Sequence, residues 1–130
     1  MRLYSTFNKY LISIFTGCLI LFLSTTDAEN LARLPRFYGA DKLLHLLMYM
    51  GLSFSLSMEN SIAKYKKRLA LVLLFPILYG GIIEIVQEYC LELRSGDWID
   101  WVADIVGAAT GCLLAARLYS MRLIRKIFRR

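Results

Sequence analysis

Residues Leu69–Leu91 read LALVLLFPILYGGIIEIVQEYCL: an apolar run carrying one proline, two mid-run glycines and, toward its end, Glu84, Gln87 and Glu88. A bilayer core takes about 20 residues of helix, and this run is long enough to cross one. A spanning segment has to be helical, because hydrocarbon offers no partner to a bare amide. Pro76 removes one bond from that helix. The expectation is a kink, with the freed carbonyl covered by a neighbouring helix.

Three more apolar runs surround this one. The predicted helices cover about residues 10–26, 43–58, 69–91 and 99–119 of a 130-residue chain, which is the length of one domain. The first two are at the short end for a span and extend into their flanks. Hydrophobic residues make up 58% of the chain, more than a soluble domain of this size accommodates. The expected fold class is therefore all-α: a four-helix transmembrane bundle whose solvent is lipid.

The net charge is +6. In a soluble protein it would point first to nucleic acid, but here the basic residues punctuate apolar runs and no nucleic-acid partner is expected. Arg2, Lys9, Lys64, Lys66, Lys67, Arg68, Arg117, Arg122, Arg125, Lys126, Arg129 and Arg130 fall on one set of flanks. Arg33, Arg36, Lys42 and Arg94 fall on the other. The positive-inside rule makes the richer set cytoplasmic, so both termini are expected inside, with a basic C-terminal tail, Met121–Arg130, anchoring that topology. A rival reading takes the first run as a cleaved signal peptide ending near Thr26-Asp27-Ala28, leaving three spans. The four-span reading is preferred, because the apolar stretch is long for a signal and aspartate is awkward in a cleavage site.

Gly107, Gly111 and Ala115 recur every four residues in the last run, a spacing that lets helix backbones approach closely in lipid. Ordinary bundle packing accounts for them. Cys18, Cys90 and Cys112 have no metal-ligand spacing.

Charges within membrane spans are costly and turn toward a bundle interior or a wet cavity. Here they cluster. Asp41, Lys42 and His45 open the second run, Glu84, Gln87 and Glu88 close the third, and Arg94, Asp97, Asp100 and Asp104 precede and begin the fourth. In the expected topology all lie in the outer half. Glu84 and Asp104 each sit about 9 Å of helix inside their run's outer end, and His45 about 6 Å past Asp41. The i, i+3, i+4 spacing places each helix's polar residues on a common face. A polar pocket open to the outside is expected, formed by Asp41, Lys42, His45, Glu84, Gln87, Glu88, Arg94, Asp100 and Asp104. Simpler roles compete at the edges. Asp97 caps a helix, Asp100 favours its dipole, and Trp98 and Trp101 suit an interfacial belt. Glu84 and Asp104 are too deep for capping.

The chemistry of such a pocket stays open. Carboxylates with one imidazole can ligate a divalent metal, but no HxxxH or ExxH spacing supports one, and no metal or cofactor is assigned. Paired carboxylates can act as general acid and base. Lys42, His45 and Arg94 can instead hold an anionic head group.

At these residues the chain resembles the VanZ-like family of bacterial membrane proteins. The matching pieces are Asp41-Lys-Leu-Leu-His45, Glu84-Ile-Val-Gln87, Arg94, Asp100, Ala103-Asp104-Ile-Val-Gly107 and Gly111, within about residues 38–116. Many members carry asparagine where this chain has Asp104, so a role at that position does not transfer directly. The resemblance implies a four-helix protein of the bacterial plasma membrane. The family's namesake is linked to low-level resistance to the glycopeptide teicoplanin. The partners expected are the lipid bilayer and a lipid head group, wall precursor or amphiphilic antibiotic. The alternative is an intramembrane enzyme acting on a lipid-linked or phosphate-bearing substrate through the Glu/Asp/His cluster.

Overall fold

The computed structural model describes residues 8–26, 37, 39–60, 66–92 and 95–119. Among them are four long helices and no strand: α1 (Leu11–Thr25), α2 (Ala40–Asn60), α3 (Lys66–Cys90) and α4 (Trp98–Tyr119). Two of these contain stretches long and apolar enough to cross a membrane, Arg68–Cys90 and Trp98–Leu118, while the apolar α1 is shorter. The basic tail and Arg94 lie outside the described residues.

Polarity runs from inside to outside in the sense that lipid favours. Phe15, Phe22, Leu74, Leu78, Ile82, Ile85, Val102 and Leu113 are exposed, while Ser13, His45, Ser53, Ser57, Glu84, Gln87 and Asp104 are buried. Water as solvent would reverse this, since apolar side chains gain nothing from facing it. Hydrocarbon does not drive apolar faces together, so close backbone approach and interhelical hydrogen bonds hold such a bundle.

Helix α2 is the central element and touches each of the other three. Its closest partner is α4, and the small residues predicted from the sequence explain why. A methyl group at Gly107 would lie 3.1 Å from the Leu46 Cα and carbonyl carbon, and closer still to its oxygen. One at Gly111 would lie 3.0 Å from the Met50 carbonyl carbon and the Phe54 nitrogen. Only glycine permits this contact.

Polar bonds fix the remaining pairs. Pro76 is fully buried within α3. It cannot donate to the carbonyl of Val72 four residues before it. Ser53 Oγ of α2 donates to that Val72 oxygen at 3.0 Å, as the sequence led us to expect. Helix α1 is tied to α3 by Tyr79 donating to the Gly17 carbonyl and Gln87 donating to that of Ser24, both at 2.8 Å. At the other end of α1, the Glu59 carboxylate accepts from the backbone amides of Ile12 and Ser13 and from the Ser13 hydroxyl. The first amides of a helix have no partner within it, and an anion there also complements the helix dipole.

Candidate functional site

The polar end of the bundle is built in two tiers from the start of α2, the end of α3 and the start of α4. Lys42 organises the outer tier. Its ammonium lies 3.3 Å from Asp41 Oδ2, 3.1 Å from Asp97 Oδ2 and 3.1 Å from Asp100 Oδ1. Asp97 also accepts from the Ile99 amide at 2.8 Å, so it caps α4 while it binds the lysine. The Ile99 amide and then Lys42 hold the Asp97 carboxyl below its ordinary value.

The inner tier is one helical turn deeper. His45 Nδ1 stands 2.9 Å from Asp104 Oδ1 and 3.8 Å from Glu84 Oε1. All three residues are buried, Asp104 completely. Glu84 turns its other oxygen, Oε2, to accept from the Asp97 amide at 2.8 Å, which fixes the backbone at Asp97, the outer-tier residue in the loop before α4. Gly96 lets that loop close, since a side chain there would lie 2.6 Å from the Glu84 carbonyl oxygen. Gly80 opens a niche beside Asp104: an added methyl would sit 2.5 Å from Asp104 Oδ2 and 3.2 Å from Tyr49 Cε1. Among the described residues, Glu84 Oε1, Asp104 Oδ2 and the Tyr49 hydroxyl are buried with no hydrogen-bond partner. Such groups are costly to bury unsatisfied, so the inner tier has unused capacity to accept and donate.

The expected site residues thus separate. Lys42, Asp41 and Asp100 form the outer tier, with Asp97, and His45, Glu84 and Asp104 the inner one. Gln87 lies elsewhere. Although it is three residues from Glu84, it points at α1 and donates to Ser24. Glu88 is exposed and accepts from the Gly96 amide at 2.9 Å, holding the loop. Trp101 donates to the Ile77 carbonyl and packs over Gly81, and Trp98 is exposed. Tyr49 was not singled out. It follows His45 by four residues, so helical spacing alone places it on the same face. The ring planes of the two residues are nearly parallel, their centroids 6.4 Å apart.

The charge balance bears on the anion-holding idea. Among the described residues, Lys42 is committed to three carboxylates and His45 to Asp104. Among the described residues the cluster is acid-rich, an arrangement that suits cations, amines and hydroxyl donors.

No curated protein and no solved structure matches the chain. A sequence model of the VanZ/LLP1 family matches residues 4–120. The match takes in α1 as well as the segment from α2 to α4 on which the resemblance rested. Together with that family match, two helices long and apolar enough to cross a bilayer and an apolar exterior make this a membrane protein. Residues 4–120 make up most of its length, and the chain belongs to the VanZ/LLP1 family.

Proposed function

We propose that this chain is a four-span protein of the bacterial plasma membrane, with both termini cytoplasmic, that engages the head group of an envelope amphiphile from the outer leaflet. The amphiphile is a lipid-linked wall precursor or a glycopeptide antibiotic of the teicoplanin type. The observation that carries this reading is the two-tier cluster. Its buried trio of His45, Glu84 and Asp104 lies beneath a layer in which Lys42 is shared by three carboxylates. The charge bias supports the orientation, since the basic flanks lie toward the other end. An acid-rich layer recognises amine and hydroxyl groups rather than a bare phosphate, and both kinds of amphiphile carry such groups. Family membership supports the antibiotic arm. The test compares teicoplanin sensitivity in cells expressing the wild type, Lys42→Met or Asp100→Asn, alongside binding of a lipid-linked wall precursor to purified protein in nanodiscs. Sensitivity and binding that are the same with and without these residues refute the proposal.

One observation favours a second reading. An imidazole 2.9 Å from one carboxylate and 3.8 Å from another is arranged as a general base with an orienting partner. In this reading the protein is an intramembrane enzyme acting on a lipid-linked substrate. Product formation from such a substrate, lost in His45→Gln, separates it from simple binding.

A further inference from the structure

We infer that His45, Glu84 and Asp104 form a binding site for one divalent transition-metal ion, Zn2+ or Mn2+, held between α2, α3 and α4. One ligand atom from each residue can be chosen so that all three lie within 4.8 Å of one another. Metal–nitrogen and metal–oxygen bonds of about 2.0–2.2 Å place neighbouring ligand atoms roughly 3.4 Å apart around a tetrahedral centre. His45 Nδ1 and Glu84 Oε1, at 3.8 Å, are already close to that spacing.

The second observation is the unused bonding capacity. Asp104 Oδ2 and Glu84 Oε1 are both buried and both lack a hydrogen-bond donor. Two carboxylates with a neutral imidazole carry two negative charges, which one divalent cation balances. The nearest described cation, Lys42, is occupied by Asp41, Asp97 and Asp100. Imidazole with two hard carboxylates suits zinc or manganese better than calcium or copper(I). Three protein ligands leave a further coordination position; the Tyr49 ring borders the Gly80 niche beside Asp104, and its buried hydroxyl has no hydrogen-bond partner. Gly80 keeps the Asp104 side of the site free of a methyl group. No pair of these ligands lies within one helical turn of sequence, so no spacing motif announces them.

The site does not depend on the amphiphile proposal, because metal uptake needs no head group. The experiment uses the full chain in nanodiscs, dialysed against Zn2+ or Mn2+ alone and analysed for bound metal. One ion per chain is expected, removable by a chelator and restored on readdition. Glu84→Gln and Asp104→Asn, nearly isosteric changes, each weaken affinity at least tenfold, while Glu92→Gln, at an exposed carboxylate just beyond α3, leaves it unchanged. Circular dichroism verifies that each variant keeps its helices, and His45→Gln substitutes for any that does not. Absence of binding by either ion in the wild type overturns the inference, as does equal affinity in the wild type and the trio variants. Such a result leaves the antibiotic-sensitivity assay standing, and the converse holds.

Discussion

Gly107→Ala opposes two effects of known sign. Within a helix, replacing glycine by alanine stabilises by about 0.5–1 kcal/mol, because less backbone freedom is lost. At Gly107 the new methyl would meet Leu46 backbone, 3.1 Å from two carbons and nearer to the oxygen. Backbone cannot rotate away as a side chain can, so α2 and α4 must part by about 1 Å to restore ordinary contact. Overpacking of this kind costs about 1–3 kcal/mol. The net loss is at most about 2.5 kcal/mol, and against a glycine-to-alanine change that meets no clash the deficit is about 1–3 kcal/mol, a factor of roughly 5–150 in the folded-to-unfolded ratio. The same displacement reaches the site. His45 precedes Leu46 and Asp104 lies one turn before Gly107, so a 1 Å separation stretches their 2.9 Å contact beyond hydrogen-bonding range. Gly51→Ala is the control, since a methyl at that position of α2 meets nothing within 4 Å. It should be neutral or slightly stabilising. Reversible unfolding in bicelles, followed by circular dichroism, measures both. A Gly107→Ala protein as stable as Gly51→Ala would refute the claim that backbone contact sets the α2–α4 distance.

Lys42→Met releases three carboxylates; the pairs with Asp41 and Asp97 are partly exposed and screened and cost little, so the stability cost comes from Asp100, which is buried. The substitution also acts on access: His45, the single histidine of the chain, should react with diethyl pyrocarbonate several times faster than in the wild type, and an unchanged rate would show that Lys42 covers nothing. Asp97 gives a pH prediction. Its folded-state value lies below the ordinary 3.8, so its contribution is present above that value and lost as pH falls through the lowered one. Asp97→Asn should therefore flatten the acid limb of unfolding below about pH 4 and leave neutral behaviour alone; superimposable acid limbs would contradict the assignment.

Much of this was legible in the sequence, because some constraints act within one helix. Apolar length set the helices, and the spacing of Gly107 and Gly111 marked the close face of α4. Pro76 implied a donor from elsewhere, which proved to be Ser53. The concentration of Asp41, His45, Glu84, Asp100 and Asp104 at corresponding depths pointed to one end of the bundle. Residues that share a face within a helix need not share a partner. Glu84 and Gln87 are three apart, yet the arc between them is wide enough that Glu84 meets His45 while Gln87 meets α1.

The sequence by itself determined that the chain is helical, apolar outside and polar at one end, because hydrogen-bond satisfaction in lipid and the 3.6-residue period are local rules. Only the tertiary structure decided which acid serves which base: Lys42 takes Asp41, Asp97 and Asp100, and His45 takes Asp104 with Glu84 nearby. The physical reason is rotation. Each helix's angle about its own axis is set where Gly107 and Gly111 admit the α2 backbone and where Tyr79 and Gln87 reach α1. No single helix carries that angle in its own pattern.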